Sequence, residues 1–438
     1  MSALALIALR RGLPVTGCDL HPAGAADALR LGAHIQQGHE AAHVAGARAV
    51  VHTAAVPQDH PELEAARAAG IPVLTRARAL AEIVSTGRVV GVSGTHGKTT
   101  TTAMATAALA AAGVDPTGIV GGRVAEWDGN VRFGSDHVFV VEADEYDRSF
   151  LELRPEVALV TNVEPDHMEC YGSVQELEAA FIEFAGRAER VLVGADDGGA
   201  KRVAAAVTRP VWHVGLAPDA SVRLDGVVRE QGRNAATLTF PDGRSVQLRL
   251  RVPGVHNLRN AAMALAVAAV LEADLDAAAR GLATFDGVGR RFEHVGTVDG
   301  ITVIDDYAHH PSEIAATLGA ARQRFPDARV VALLQPHLYS RTQALGEAMG
   351  IALALADVAI VTEIYAARER PIAGVTGEIV AKAARRAGGE VMWLPERAEL
   401  VPRLEEVLRA GDVLVTLGAG DVTDVGRDFV RRRPGAAV

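Results

Sequence analysis

Residues 88–113 read RVVGVSGTHGKTTTTAMATAALAAAG, and this stretch decides how the middle of the chain folds. The apolar residues before Gly94 predict a buried β-strand, and the alanine-rich run that ends at Gly113 predicts a helix. Between them, the turn and the start of the helix hold Gly94, Thr95, His96, Gly97, Lys98, Thr99 and Thr100. Backbone N–H groups of such a turn and of a helix N-terminus bind phosphates. We therefore predict a nucleoside triphosphate site, with Lys98 on the phosphates and Thr99 on Mg²⁺.

The spacing of this turn departs from the pattern G-x-x-x-x-G-K-[ST], because Val92 stands where the first glycine is expected. A glycine turn with an incidental lysine is the alternative interpretation. The strand before the turn and the helix after it favour the phosphate site.

Two more apolar strands end in polar clusters. Glu142 opens the acidic run EADEYD after one strand, and TNVEPDH, which ends at His167, follows another. Open α/β sheets bind ligands at the carboxyl ends of their strands, and carboxylate oxygens there suit Mg²⁺. A solvated acidic loop and a structural histidine are the alternatives. Three motifs at three strand ends in one domain favour a shared site.

Helical and strand patterns also alternate on both sides of this region, which predicts an α/β protein. A chain of 438 residues exceeds a single core. We predict three domains, at residues 1–86, 87–289 and 290–438. The first begins inside a helix, without the strand and glycine-rich turn that normally open a Rossmann-like unit, so we expect it to be truncated at its first strand.

The composition excludes several classes of protein. A net charge of -10 disfavours nonspecific binding to nucleic acid or to an anionic membrane. No stretch approaches the roughly 20 apolar residues of a membrane span. The two cysteines, Cys18 and Cys170, exclude a disulfide framework and suit a reducing cytoplasm, and neither has a metal-ligand spacing. We expect a cytoplasmic monomer or homodimer with no nucleic-acid partner and no membrane insertion.

Weaker signals lie further along the chain. Asn257 and Asn260 are one helical turn apart, so both amides face one side, although asparagine also caps helices. An arginine in the run Arg290-Arg291 at a domain junction could clamp a phosphoryl group or form an interdomain salt bridge. Polar loops also follow three strands of the last domain, at residues 305–311, 335–342 and 418–421. Such loops often carry functional groups.

Seven segments in this order, GTHGKTTTT, EADEYDRSF, TNVEPDHMECYG, VPGVHNLRNA, GVGRRFE, IDDYAHHPSEI and QPHLYSRT, resemble the Mur ligase family over nearly the whole chain. The HHP and QPH segments resemble the member that adds L-alanine. The resemblance implies an ATP-dependent ligase of peptidoglycan synthesis, which activates UDP-N-acetylmuramate as an acyl phosphate and joins it to L-alanine. It implies a Rossmann-like N-terminal domain for the UDP-sugar, a central P-loop ATPase-like domain for ATP and a C-terminal Rossmann-like α/β domain that closes over both.

The resemblance also implies roles for single residues. Lys98 and Thr99 would hold ATP phosphates and Mg²⁺, and Glu142 and His167 would bind a second metal ion. The remaining ATP contacts would be Asn257, Asn260, the linker arginine Arg291 and, at the ribose, Asp306. The residues around the amino acid and the acyl group would be Tyr307, His309, His337 and Arg341. Those holding the UDP-sugar would be Asp19, His39, His52, Thr53 and Arg76. The implied catalytic set is Lys98, Glu142, His167, Arg291, His309 and Arg341.

The chain departs from the family pattern at two points. The family begins with a strand and a G-x-G-G-x-G-M-like turn, and Met1 stands at the end of that turn. We favour a start codon assigned too late, and weak UDP-sugar binding is the alternative. Leu338 stands where many relatives carry arginine.

Two other functions remain open from the sequence. One is a recycling ligase that attaches a preformed tripeptide to the same UDP-sugar. The other is a non-catalytic sensor of UDP-sugar or nucleotide. A dinucleotide oxidoreductase is disfavoured because the chain lacks G-x-G-x-x-G.

Overall fold

The computed structural model describes residues 1–230 and 233–432. The chain separates into two compact units, and each is described by itself. The first unit comprises Met1–Leu224, Leu238–Val246 and Asn260–Gly281, and the second comprises Asp225–Thr237, Gln247–Arg259 and Leu282–Val438. The boundaries of the three predicted domains stay predictions, and residues 433–438 of the third predicted domain lie outside the described part of the chain.

The amino-terminal part of the first unit alternates helices and strands, as predicted. Its helices are α1 (Ser2–Arg10), α2 (Ala26–Arg30), α3 (Pro61–Ala68) and α4 (Arg76–Val84), and its strands are β1 (Thr16–Asp19), β2 (His34–Gln37), β3 (Val50–His52) and β4 (Val73–Thr75). The strands pair in parallel, as the alternation predicts, but they form two separate sheets, β1 with β2 and β3 with β4. The strands β2 and β4 and the helix α4 were not predicted.

The elements that follow build a ten-stranded sheet and its helices. The strands are β5 (Arg88–Ser93), β6 (Thr117–Val124), β7 (Gly129–Arg132), β8 (Val138–Glu142), β9 (Val157–Val160), β10 (Arg190–Gly194), β11 (Val211–Gly215), β12 (Val222–Glu230), β13 (Arg233–Thr239) and β14 (Ser245–Leu250). The helices are α5 (Lys98–Ala111), α6 (Met168–Tyr171), α7 (Val174–Gly186), α8 (Gly198–Ala206), α9 (Val255–Val270) and α10 (Leu275–Leu282). The strand order is β14-β13-β12-β11-β10-β9-β5-β8-β6-β7.

The strand β5 lies between β9 and β8 and is parallel to both. Every residue of β9 is buried, and so is all of β5 after Arg88, because helices cover both faces of such a sheet. The register places Val92 opposite Glu142 and Ser93 opposite Val160. The carboxyl ends of the three strands therefore meet at one edge, where the sequence predicts the phosphate site.

The second unit is built around a six-stranded sheet of order β15-β16-β20-β17-β18-β19. The strands are β15 (Glu293–Val298), β16 (Ile301–Asp306), β17 (Val330–Leu334), β18 (Val358–Val361), β19 (Val391–Trp393) and β20 (Val413–Leu417). The helices are α11 (Pro311–Arg324), α12 (Tyr339–Leu353), α13 (Glu378–Arg386), α14 (Arg397–Val407) and α15 (Val422–Arg431). All neighbouring strands are parallel except β15, which runs antiparallel to β16.

Because β16, β20 and β17 are adjacent, the three polar loops of the last predicted domain leave one edge of this sheet. Among the described residues, no helix is both long enough and apolar enough to cross a membrane.

Candidate functional site

The loop between β5 and α5 is shaped by two glycines with positive φ, Gly94 at 130° and Gly97 at 81°. A Cβ atom at Gly94 would lie 2.0 Å from the Oγ1 of Thr161 and 2.9 Å from its backbone nitrogen. At Gly97 it would lie 2.8 Å from the Oδ1 of Asn260. Both positions therefore require glycine, because only glycine combines this backbone conformation with the missing side chain.

Two residues after β9 hold the loop in shape; they open the TNVEPDH run, but no role was predicted for them individually. Thr161 donates its hydroxyl proton to the carbonyl oxygen of His96 over 2.6 Å. Asn162 accepts a hydrogen bond from the backbone N–H of His96 at 2.8 Å and donates its amide to the same residue's carbonyl at 3.1 Å. Their position directly after a buried strand was the available signal.

Lys98 is the first residue of α5, and its ammonium group turns back into the loop. Its Nζ donates to the carbonyl oxygen of Gly94 at 2.7 Å and forms an ion pair with Glu145 at 2.7 Å. The Lys98 side chain is 14% exposed and that of Glu145 only 2%. Burial lowers the pKa of Lys98, but the carboxylates of Glu145 and Asp144 outweigh burial and raise it. The lysine is therefore a fixed positive charge inside the loop.

Thr99 and Glu142 place oxygen atoms beside this lysine. The Thr99 hydroxyl donates to Oε1 of Glu142 at 2.9 Å, and the backbone N–H of Gly121 donates to Oε2 at 2.6 Å. The hydroxyl of Thr99 and the carboxylate of Glu142 are hard oxygen ligands of the kind Mg²⁺ prefers. The donor set thus fits the metal ion that the sequence predicts. Gly121 was not singled out from the sequence.

His167 precedes α6 with a left-handed backbone, φ 56°. Its Nε2 lies 3.9 Å from Oε1 of Glu145 and 3.8 Å from Oδ2 of Asp166, and the ring of Tyr146 contacts it edge-on at 5.2 Å. The structure therefore brings His167 to the carboxylate that pairs with Lys98. Its role as a metal ligand stays a prediction.

The structure also shows where the other residues near the loop that were predicted to contact ATP lie. Thr95 exchanges hydrogen bonds with the backbone of Glu164, and the ring of His96 lies 3.2 Å from the Glu164 carboxylate. Thr100 is buried in the first turn of α5. Asn257 and Asn260 both lie on α9; Asn257 donates to the carbonyl of Pro253 at 2.7 Å.

The residues predicted to hold the UDP-sugar lie at the carboxyl ends of the short parallel strands. Asp19 is the last residue of β1, and His39 follows β2 by two residues. His52 ends β3, opposite Thr75 in β4, and Arg76 begins α4 directly after it. Thr53 follows His52 and accepts a hydrogen bond from the backbone of Ala55. Their roles stay predictions.

A buried ion pair holds the predicted linker to the sheet of the second unit. Asp305 is fully buried and accepts hydrogen bonds from Thr416, Thr423 and Arg290 at 2.6, 2.9 and 3.1 Å. Arg290 also donates to the carbonyl oxygen of Gly418 at 2.7 Å. Both arginines of the run Arg290-Arg291 make contacts within this unit, and Arg291, the linker arginine that the resemblance implies, pairs with Glu313 at 3.3 Å.

The predicted amino acid site is a cluster of aromatic and basic side chains. Tyr307 and His309 contact edge-on at 5.4 Å, and the rings of His309 and His337 are 5.8 Å apart. A guanidinium nitrogen of Arg341 lies 3.0 Å from Nδ1 of His337. Leu338 has φ 67°, and its backbone N–H donates to Tyr365, a residue that sequence reasoning missed. The cluster is assembled from the ends of β16 and β17.

Asp306 is buried beside this cluster, and its carboxylate accepts hydrogen bonds from the backbone of Phe292 and Ala308, both at 2.8 Å. Burial raises its pKa to about 6. A carboxyl whose pKa is raised by folding contributes stability at low pH that is lost as pH rises through the folded value.

As the pH rises from about 4 to about 7, we therefore expect the melting temperature of the second unit of wild type to fall relative to that of the Asp306→Asn variant. Scanning calorimetry over this range measures the difference. The comparison with the variant is needed because burial lowers the pKa of His256 to about 4, which works in the opposite direction. A difference in melting temperature between wild type and Asp306→Asn that stays the same at every pH would contradict the expectation.

Gly97 and Gly113 flank the same helix with the same φ, 81°. A Cβ at Gly113 would meet no atom within 4 Å, whereas one at Gly97 would displace Asn260. We expect both alanine variants to lose roughly 1–2 kcal/mol of stability from the left-handed backbone. Only Gly97→Ala should also weaken ATP binding, measured by calorimetric titration. Equal ATP affinity in the two variants would argue against the loop as the nucleotide site.

Comparisons with known proteins agree with this geometry. Three family models match in succession: "Mur ligase family, catalytic domain" over residues 1–88, "Mur ligase middle domain" over 92–268 and "Mur ligase, glutamate ligase domain" over 290–420. A UDP-N-acetylmuramate--L-alanine ligase of Salinibacter ruber is 43% identical and covers 98% of this chain and 92% of its own length. A ligase of the same name from Clavibacter michiganensis is 47% identical, and the match covers 96% of this chain and 89% of that protein.

A crystal structure of UDP-N-acetylmuramate-alanine ligase from Thermotoga maritima superposes with a TM-score of 0.82 at 30% identity, covering 99% of this chain and 96% of the other. The three-domain α/β architecture predicted from the sequence is thereby confirmed. The matches reach both units and include the loop that carries Lys98, so the chain belongs to the Mur ligase family.

Proposed function

We propose that the chain is an ATP-dependent ligase that joins L-alanine to UDP-N-acetylmuramate through an acyl phosphate, as a step of peptidoglycan synthesis. The observation that carries this proposal is the placement of Lys98. It is a charged, nearly buried ammonium inside a loop that needs two glycines, next to the hydroxyl of Thr99 and the carboxylate of Glu142. The relatives that are similar over almost their full length carry the same activity in their names.

The loop would bind the ATP phosphates through its backbone N–H groups, and Lys98 would offset the charge that builds on the transferred phosphoryl group. Thr99 and Glu142 would hold Mg²⁺, and His167 would contribute to a second metal position. Bound there, the metal ions supply charge neutralisation at the phosphate oxygens. Asn257, Asn260, Arg291 and Asp306 are proposed as further ATP contacts.

The proposed reaction then joins UDP-N-acetylmuramate and L-alanine in two steps. The carboxylate of UDP-N-acetylmuramate attacks the γ-phosphoryl group, which gives an acyl phosphate and ADP. The neutral amine of L-alanine attacks the acyl carbon, and inorganic phosphate leaves. We propose that Tyr307, His309, His337 and Arg341 surround the amino acid and the acyl group, while Asp19, His39, His52, Thr53 and Arg76 hold the UDP-sugar. Excluding water protects the acyl phosphate from hydrolysis.

One assay tests the substrate assignment. The purified chain is mixed with ATP, Mg²⁺ and UDP-N-acetylmuramate, and ADP release is followed with radiolabelled L-alanine or with a tripeptide as acceptor. We expect ADP release and labelled product with L-alanine, with omission of any component stopping both. Turnover with the tripeptide alone would instead assign the recycling reaction. Tight ATP binding without ADP release from the full mixture would assign a sensor.

A further inference from the structure

Three side chains of the first unit that lie far apart in the sequence meet near the end of β1. Cys18 belongs to β1, His39 follows β2, and Glu62 lies in the first turn of α3. The Cys18 Sγ lies 3.0 Å from both carboxylate oxygens of Glu62 and 3.2 Å from Nδ1 of His39. The His39 Nδ1 is 3.8 Å from Oε2 of Glu62. One sulfur, one nitrogen and one oxygen therefore face a common point.

The spacing of these atoms fits a tetrahedral zinc ion. Zinc lies about 2.3 Å from a thiolate, about 2.0–2.1 Å from an imidazole and about 2.0–2.2 Å from a carboxylate. Tetrahedral angles then place the ligand atoms roughly 3.3–3.6 Å apart. The observed separations of 3.0, 3.2 and 3.8 Å bracket that range, so small side-chain rotations suffice.

Glu62 is also oriented from outside the cluster. Its Oε1 accepts hydrogen bonds from Nδ1 of His43 at 2.8 Å and from the backbone N–H of Glu40 at 3.1 Å. These two contacts fix the carboxylate, with both oxygens 3.0 Å from Sγ of Cys18 and Oε2 3.8 Å from Nδ1 of His39. Outer hydrogen bonds of this kind are what orient the ligands of protein metal sites. The Glu62 side chain is 10% exposed and that of His39 is 31% exposed, so the cluster is anchored on one side and open to solvent on the other.

We propose that Cys18, His39 and Glu62 form a zinc site, separate from the magnesium position at Glu142. A soft sulfur, an imidazole and a carboxylate together select zinc over magnesium or calcium, which take oxygen ligands. The fourth position is open to solvent on the side of His39 and takes water. The site shares His39 with the proposed UDP-sugar site, but its test measures metal binding alone and needs no ligase substrate.

Binding of zinc exchanges a proton for the metal ion. Burial and then the hydrogen bond to Glu62 raise the pKa of Cys18 to about 12, so the thiol is protonated in the absence of metal. The S–H bond breaks, the sulfur–zinc bond forms and the proton passes to solvent, with no change in oxidation state. Zinc affinity should therefore rise with pH.

The test uses the full-length chain after treatment with a chelator, and the probes are Zn²⁺ and Co²⁺ alone. We expect one Co²⁺ to give a thiolate-to-cobalt charge-transfer absorption band that one equivalent of Zn²⁺ abolishes. Cys18→Ser should remove the band. Cys18→Ser should also weaken Zn²⁺ binding at this site by more than the roughly 10–100-fold that follows the loss of a residue that hydrogen-bonds to a metal ligand. His43→Ala, which removes such a partner, should keep the band at weaker affinity.

Cys170→Ser is the matched control, because Cys170 is the other cysteine and has the carboxylates of Asp147 and Glu169 nearby. It should keep the band. Serine at position 18 can still donate a hydrogen bond to Glu62, and circular dichroism checks that the fold is intact. If Cys18→Ser misfolds, His39→Gln replaces it, and this variant should bind Co²⁺ more weakly than His43→Ala does. The proposal is overturned if wild type shows no band, if the band survives in Cys18→Ser, or if His39→Gln binds Co²⁺ as tightly as wild type.

Discussion

Lys98→Ala is expected to abolish ADP formation, with a loss of about 3–4 kcal/mol in transition-state stabilisation, which is roughly a 10²–10³-fold loss in turnover. The ammonium of Lys98 is fixed inside the phosphate loop by Gly94 and Glu145 before any substrate arrives. A charge that is already in place costs no reorganisation when the phosphoryl group is transferred. A steady-state assay of ADP release measures the loss.

This variant also leaves the nearly buried Glu145 without its cation, which on its own destabilises a protein. The double variant Lys98→Ala with Glu145→Gln removes that problem, and its ADP release should remain as low as that of the single variant. Lys382→Ala is the matched control, because Lys382 is exposed and pairs with Glu378 on the surface of α13. Near-normal turnover of a folded Lys98 variant would mean that the nucleotide site is wrongly placed.

Asp305→Ala should lower the free energy of unfolding of the second unit by about 3–5 kcal/mol, the usual effect of removing one partner of a buried ion pair. The change leaves the guanidinium of Arg290 and the hydroxyls of Thr416 and Thr423 without their common acceptor. For a unit of this size, the expected shift in melting temperature is roughly 6–20 °C.

Scanning calorimetry is the suitable measurement, because it can resolve the transitions of a chain with more than one compact unit. Asp327→Ala serves as the control, since Asp327 is exposed in the turn after α11 and should change the melting temperature very little. An equal effect of the two substitutions would contradict the structural role of the Arg290–Asp305 pair.

The nucleotide loop could be predicted from sequence because its parts are local. A valine-rich strand, two glycines and a helix lie within residues 88–113, and the structure has β5 and α5 at these positions. The turn sequence Pro241-Asp242-Gly243 between two strand patterns likewise predicts a β-hairpin, and the structure has β13 and β14 on either side of that turn. In both cases the signal is the residue pattern of a single continuous segment.

Contacts between distant segments could not be predicted in the same way. Glu145 was recognised as one of four acidic residues, but its pairing with Lys98 depends on β5 and β8 being neighbours. Cys18 has no metal-ligand spacing in the sequence because its partners lie 21 and 44 residues away. The strands β6 and β7 were missed because β6 contains consecutive glycines, which weaken a strand pattern.

The ion pair of Lys98 has a further consequence for the order of events. An anion that enters the loop shares the ammonium of Lys98 with Glu145, so the negative charge of this nearly buried carboxylate is then only partly compensated. A divalent cation arriving nearby relieves that imbalance. By thermodynamic reciprocity, each ligand should then bind more tightly in the presence of the other, so nucleotide and cation should bind cooperatively.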